Sequence, residues 1–481
     1  MEEVHFRCRL SAPPSPLRHV WEHTIGSCHA PLALRADWQQ QLRRCRDELG
    51  FQYVRFHGLL SDDVGTLVRY RDQFVYSFFN ADRIVDFLLS ISMRPFVELG
   101  FMPRALASGD DTVFSYRGNV SPPADYKQWA ELMRRLARHW TERYGRDEVR
   151  RWYFEVWNEP NLRVFWAGTQ EQYFELYRHT VEAIKSVDAE LRVGGPATAA
   201  NAWLPEFLDF CQRSKLPVDF VSTHHYPNDP LWSEAQDTES ELAGGQRGIL
   251  REWTRQARQQ VGERPLLYTE WNASSNPRYP PQDEPYAAAF AVKSALEASE
   301  FVEAYAFWTF TDLFEENYFP SRTFHGGFGL LNLHGIPKPT YRAFELLHRL
   351  GEQQLPIEGK HETVDAWAAK DGARLMVVLT NHALPRQAIA AQRIRLELLD
   401  VLPPRSAMLE RIDDDHANAK TAWRALGEPE YLTSAQVRRL EEASRLASEA
   451  QPWRYEERTV HLEIELPPHA VAGLTIELAE T

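Results

Sequence analysis

Trp152-Tyr-Phe-Glu-Val-Trp-Asn-Glu-Pro160 is an aromatic and β-branched run that stops on an acid and a proline. Such side chains pack well on a pleated sheet, so the run predicts a strand over 153–158. Proline ends it, because it donates no ladder hydrogen bond and favours extended geometry in the residue before it. Glu159 is therefore expected at the mouth of a buried strand. A carboxylate there is costly to desolvate unless it is paired or keeps its proton, so its pKa is expected to rise, as a general acid requires. A solvated loop glutamate would look the same in isolation.

A second stretch, Pro265-Leu-Leu-Tyr-Thr-Glu-Trp-Asn272, repeats the pattern with Glu270 at its end. Two glutamates closing different strands are what glycoside hydrolysis uses: one protonates the leaving oxygen and the other attacks the sugar or activates water. Whether they meet depends on the fold. Short apolar runs alternate with helical patterns eight times along the chain. Strands are predicted at 23–29, 52–57, 94–101, 153–158, 192–197, 219–226, 266–271 and 304–310. Apolar residues near a 3.6 period predict helices at 36–49, 80–92, 125–144, 170–188, 203–214, 239–259, 285–299 and 341–350. Eight β-then-α units are the signature of a (β/α)8 TIM barrel, whose functional groups gather at the C-terminal ends of the strands. Glu159 ends the fourth strand and Glu270 the seventh, which face each other across the barrel mouth. Arg55, His57, Glu98, His224, His225, Tyr226 and Trp308 fall at the same rim.

Beyond Leu350 the period changes to two. Strands are predicted at 363–369, 375–380, 394–399, 406–412, 459–466 and 471–478, which together read as an all-β sandwich with a polar helix at 433–449 inserted in it. Val4 to Leu10 alternates too. The expected division is thus an N-terminal strand (1–13) returning to the sandwich, a catalytic α/β barrel (14–350) and an accessory β-sandwich (351–481).

The 481 residues carry 54 Lys and Arg against 68 Asp and Glu, a net charge of −14. That balance argues against nucleic acid or an anionic membrane as a partner and for a neutral or small substrate. Acids stand at the N-terminus where a signal peptide has its basic region, and no window holds 18 apolar residues, so a cytoplasmic location is expected. Cys8, Cys28, Cys45 and Cys211 show neither CxxC nor zinc spacing and read as small core residues. His224-His225 lacks a partner at helical spacing, so no metal is expected. No Gly-rich loop opens a helix with a lysine, which excludes nucleotide binding of that kind. A monomer is favoured.

The chain resembles the β-xylosidases of glycoside hydrolase family 39. The matching stretches are Tyr53-Val-Arg-Phe-His-Gly-Leu-Leu-Ser-Asp-Asp63, Arg94-Pro-Phe-Val-Glu-Leu-Gly-Phe-Met-Pro-Arg-Ala-Leu-Ala-Ser-Gly-Asp110, Phe154-Glu-Val-Trp-Asn-Glu-Pro-Asn-Leu162, Val193-Gly-Gly-Pro-Ala197, Thr269-Glu-Trp-Asn272, Phe307-Trp-Thr-Phe-Thr-Asp-Leu-Phe-Glu-Glu316 and Phe324-His-Gly-Gly-Phe-Gly-Leu330. The resemblance implies a retaining exo-β-1,4-xylosidase that trims xylo-oligosaccharides without a cofactor. It makes Glu159 the acid/base and Glu270 the nucleophile. It sets Asn158 on the sugar 2-hydroxyl, His224 and Tyr226 against the nucleophile and glycone, Trp308 beneath the sugar, and Glu316 and His57 on sugar hydroxyls. Arg55 stands behind these groups. One departure falls at Ser275, where the family commonly has tyrosine; the smaller side chain opens the pocket and leaves the glycone and aglycone size undecided. Related activities on arabinosides, glucosides or a uronic acid glycoside stay open, as does a sugar-binding barrel without catalysis.

Overall fold

The computed structural model describes residues 3–229, 237–317 and 319–479. Eight parallel strands close a barrel: β1 (Thr24–His29), β2 (Tyr53–His57), β3 (Arg94–Glu98), β4 (Tyr153–Glu155), β5 (Arg192–Thr198), β6 (Phe220–His225), β7 (Leu266–Trp271) and β8 (Ala304–Phe307). Closure comes where Phe307 of β8 pairs with Ile25 of β1. Every residue of β1, β2, β6, β7 and β8 is buried, because barrel strands have side chains on one face and helices on the other. That two-sided burial is why these strands read as continuous apolar runs.

The covering helices are α1 (Ala36–Leu49), α2 (Phe79–Ser90), α3 (Tyr126–Tyr144), α4 (Gln170–Lys185), α5 (Leu204–Ser214), α6 (Ile249–Val261), α7 (Pro285–Ala298) and α8 (Pro339–His348). Their ends follow local chemistry. Asp125 caps α3 by accepting from the Lys127 N–H, and Thr169 with Gln172 forms a capping box on α4. The helix expected over 239–259 is two pieces, Thr238–Ala243 and α6, separated by a stretch containing Gly244, Gly245 and Gly248, residues that favour helix ends over helix interiors.

Besides two short hairpins, the remaining strands form two sheets. In the five-stranded sheet Glu3–Arg9 runs parallel to Gln392–Leu399, which pairs with Thr459–Leu466. In the seven-stranded sheet Arg374–Asn381 lies between Val364–Asp371 and Val471–Glu477, which in turn pairs with Ser406–Ile412. Val4, Phe6 and Cys8 share a core with Leu375, Val377, Leu379 and Leu474 between the sheets. Met376 and Val378, on the opposite face of the same strand, belong instead to the barrel core. Arg374–Asn381 is therefore buried on both sides, whereas Gln392–Leu399 alternates buried and exposed. The same packing explains α7, which is buried along almost its whole length between barrel and sandwich. The inserted helix ends at Ala443 rather than at 449, and Ser448–Ala450 is an edge strand. A preceding helix, Ala419–Ala425, and a hairpin, Leu67–Tyr70 with Gln73–Tyr76, carried no sequence signal strong enough to be expected. All four cysteines are buried and unpaired. Among the described residues no helix is long and apolar enough to cross a membrane.

Candidate active site

β2 supplies the cation of the barrel mouth. Arg55 and His57, two residues apart, project to the same side. The Arg55 guanidinium is fully buried and donates from Nε to Glu155 Oε2 at 2.6 Å, from Nη1 to Glu270 Oε1 at 2.7 Å and from Nη2 to Asn158 Oδ1 at 2.8 Å. Nη2 also lies 3.1 Å from Glu98 Oε2. Its planar fork thus ties the ends of β3, β4 and β7 to β2 and partly offsets three buried carboxylates. Burial opposes the Arg55 charge, but Glu155, Glu98 and Glu270 outweigh it and raise its pKa above the ordinary arginine value.

Glu159 is carried on a turn rather than on a strand. β4 ends at Glu155, short of the predicted 158, and Trp157 and Glu159 both have positive φ, 76° and 45°. The extended geometry expected before Pro160 is not adopted. The turn is held by the Glu159 N–H on Ala197 O at 2.8 Å and by Trp157 Nε1 on Phe165 O at 2.8 Å. Left-handed backbone in a non-glycine residue costs on the order of 1 kcal/mol or more and persists where the surroundings over-determine it, commonly at functional sites. At β7, the consecutive residues Thr269 and Glu270 both reach the mouth, near a slip in strand register between Tyr268 and Trp271.

Glu270 has both oxygens engaged: Oε1 by Arg55, Oε2 by the Tyr226 hydroxyl at 2.9 Å. Glu159 Oε1 meets His224 Nδ1 at 3.0 Å. One oxygen of each glutamate and His224 Nδ1 all lie within 4.8 Å of one another. Burial raises the pKa of both glutamates. For Glu159 the rise is the larger, because the Glu270 charge adds to burial, while for Glu270 Arg55, His57 and the Tyr226 hydroxyl act in the opposite direction. A proton shared by the pair therefore resides on Glu159, and Glu270 is the carboxylate.

The hydrogen bonds beneath Glu159 agree. Thr269 Oγ1 has one proton and gives it to Glu155 Oε1 at 2.8 Å, so it must accept from His224 Nε2 at 3.0 Å. Burial, reinforced by Arg55, holds His224 well below the usual imidazole range, so the ring is neutral. With Nε2 protonated, Nδ1 is an acceptor and Glu159 must be its donor. Polarity runs from Glu159 through His224 and Thr269 to the Glu155 carboxylate.

Above these groups lies a cavity of about 980 Å³, lined among others by His57, Asn158, Glu159, Tyr226, Glu270, Trp308 and Glu316. Seven of the nine expected site residues thus meet at one cavity. Arg55 and His224 do not line it. His224, expected against the nucleophile and glycone, bonds directly to Glu159 and stands 3.7 Å from Glu270. His57 Nδ1 is 2.5 Å from Glu98 Oε2, which leaves Nε2 3.7 Å from both Glu270 and Glu316. Trp308 lies against Gly26, where a Cβ would sit 2.5 Å from its ring. Burial, then the charges of Glu270 and Glu98, raise the pKa of Glu316 well above the carboxylate range. Ser275 also lines the cavity and exchanges two hydrogen bonds with Asn228, at 2.9 and 3.0 Å.

Glu155 and Thr269 were not singled out in the sequence, although an acid inside the apolar run Phe154-Glu155-Val156 was a visible sign of a buried partner. Asp229, whose pKa is pushed up to about 7 by burial, also lines the cavity and carried no pattern that could have marked it. The spacing of Glu159, His224 and Glu270 is one that a divalent ion could bridge. The lack of a partner at helical spacing is thus no argument against a metal, because the partners come from other strands. The occupied oxygens of Glu270 and the lone pair of Nδ1 already committed to Glu159 argue against one instead.

A closed eight-stranded barrel with two glutamates this close at its C-terminal mouth is the arrangement of a glycoside hydrolase. Comparison with known proteins narrows the class. The model of glycosyl hydrolases family 39 matches residues 7–459. A β-xylosidase of Caldicellulosiruptor saccharolyticus is 48% identical over 467 residues, 96% of each chain. One of Geobacillus stearothermophilus is 37% identical, over 95% of this chain and 92% of its own. The solved structure of the GH39 enzyme from Xanthomonas axonopodis pv. citri superposes with a TM-score of 0.87 at 33% identity, covering 99% of this chain and 97% of that one. The chain belongs to family 39 of the glycosyl hydrolases.

Proposed function

We propose that the protein is a retaining exo-β-1,4-xylosidase that releases terminal β-D-xylosyl residues from xylo-oligosaccharides, with Glu159 as acid/base and Glu270 as nucleophile. The observation that carries this reading is the approach of the two glutamates, whose oxygens come within 4.8 Å. Retaining enzymes hold their carboxyls about 5–5.5 Å apart, whereas inverting ones need about 6.5–9.5 Å to admit water between acid, sugar and base. In the first step a Glu270 oxygen bonds to the anomeric carbon as the glycosidic C–O bond breaks, and the Glu159 proton passes to the departing oxygen. In the second, Glu159, now ionised, takes a proton from water as that water displaces Glu270, and the sugar leaves in its original β configuration. Esterification removes the Glu270 charge that raises Glu159, so the acid of the first step becomes the base of the second.

Asn158, with Oδ1 held by Arg55, presents its amide to the 2-hydroxyl; Tyr226, His57 and Glu316 bind hydroxyls, and Trp308 packs on the C–H face of the ring. Support for a neutral glycone comes from the cavity lining, whose one arginine, Arg163, stands in the loop after Glu159, while Arg55 is spent on its four acceptors. A uronate carboxylate would instead face the charged Glu270 with no free cation of the barrel floor, among the described residues, to pair with it. The sandwich serves as support for the barrel, and the enzyme works in the cytoplasm on imported fragments. The test is a proton NMR time course with an aryl β-D-xylopyranoside. Prompt β-xylose is expected; α-xylose appearing first would remove Glu270 as nucleophile, and no turnover would redirect the glycone to arabinose or glucose.

A further inference from the structure

The loop that follows Glu159 coils back over it, with the Leu162 N–H on Glu159 O at 3.0 Å, and Leu162, Val164 and Phe165 line the cavity. Leu162 is 37% and Val164 55% exposed, two aliphatic side chains left facing solvent at the rim of the site. Phe114 stands beside them, its ring 5.4 Å from that of Phe165. Since the acid stands next to the glycosidic oxygen, a wall built directly on Glu159 lies on the leaving group's side of the scissile bond. Trp308 and Glu316, on the loop of β8, define the sugar's side.

The Asn161 side chain is already occupied, and Arg163 spends one of its five donors within the loop. Asn161 gives its amide to Ala199 O at 3.2 Å and accepts the Ala199 N–H at 2.8 Å, and Arg163 donates to Ala167 O. A second xylosyl unit would set hydroxyls against Leu162, Val164, Phe165 and Phe114, whose side chains offer no partner, whereas an alkyl or aryl group would cover exposed apolar surface. We propose that the leaving-group side is a binding subsite for apolar aglycones, so that the enzyme also hydrolyses β-xylosides of alkyl alcohols and gains from their apolar surface. This inference rests on the xylosidase reading.

The test is kcat/KM for a series of n-alkyl β-D-xylopyranosides from methyl to octyl, whose leaving groups need nearly the same help from the acid. The expected result is a rise with chain length, up to about fourfold per methylene over the first few carbons. Leu162→Asn combined with Val164→Asp should lower the ratio of the hexyl to the methyl value at least tenfold. Turnover of methyl β-xyloside and xylobiose with a flat alkyl series would overturn the subsite and leave the functional reading intact. If no xyloside turns over, the functional reading fails, and the same alkyl series on whichever glycone is cleaved decides the subsite.

Discussion

Replacing Thr269 by valine removes one hydroxyl and almost no volume, yet it should change the pH dependence of the reaction. Among the described residues the Thr269 oxygen is the hydrogen-bond partner of His224 Nε2, at 3.0 Å, and it donates to Glu155 at 2.8 Å. A buried polar group left without a partner costs about 1–3 kcal/mol. That is enough to move the proton of a neutral imidazole from Nε2 to Nδ1, where Glu159 Oε1 waits at 3.0 Å. Nδ1 then donates and stabilises the Glu159 carboxylate. A hydrogen bond to a charged group is worth about 1.5–3 kcal/mol and one pKa unit about 1.4 kcal/mol, so the Glu159 pKa should fall by about one to two units. Glu159 must be protonated for the first step, and burial with the Glu270 charge raises its pKa. Activity is therefore present below that pKa and lost as pH rises through it, and the variant's alkaline limb should move to lower pH. The assay is the pH profile of kcat/KM on an alkyl β-xyloside, with a dinitrophenyl β-xyloside, whose leaving group needs no proton, as the control that should not shift. Thr269→Ser should restore the wild-type profile. An alkaline limb that stays in place, or moves up, in a folded Thr269→Val protein would refute the hydrogen-bond order assigned beneath Glu159.

Three further outcomes are expected. With azide and an activated aryl β-xyloside, Glu270→Gly should yield the α-xylosyl azide and Glu159→Ala the β-azide, because azide replaces the nucleophile in one and traps its ester in the other; identical products would contradict the two roles. Arg55→Met leaves Glu98, Glu155 and Glu270 buried without their guanidinium and should lower unfolding stability by about 3–5 kcal/mol, measured by urea denaturation, so a variant as stable as the parent would show that the carboxylates need no cation. Dialysis against EDTA should leave kcat/KM unchanged, and a loss reversed by a divalent ion would establish a metal at Glu159, His224 and Glu270.

Much of this architecture is legible in the sequence. Side chains packed on both faces of each barrel strand made eight continuous apolar runs, and the 3.6 period of the covering helices separated them. Position along the chain was enough to put Glu159 just beyond strand four and Glu270 at the end of strand seven, and the alternation of Val4, Phe6 and Cys8 was enough to expect an N-terminal strand in the sandwich. These features are local or periodic, so they survive in a linear string.

What the tertiary structure decided is the partnership of groups distant in sequence. Arg55 reads as a rim cation, but only folding brings three strand ends within reach of one guanidinium. His224 reads as a companion of the nucleophile, but its ring lies under the acid, with its two nitrogens on Glu159 and Thr269. The backbone of Glu159 departs from the extended form that Pro160 favours because contacts from Ala197 and Phe165 hold the turn. Propensity acts residue by residue at about 1 kcal/mol or less, and buried hydrogen bonds and ion pairs assembled across the barrel outweigh it. The sequence therefore determined which strand each glutamate closes, and the fold determined which of them holds the proton.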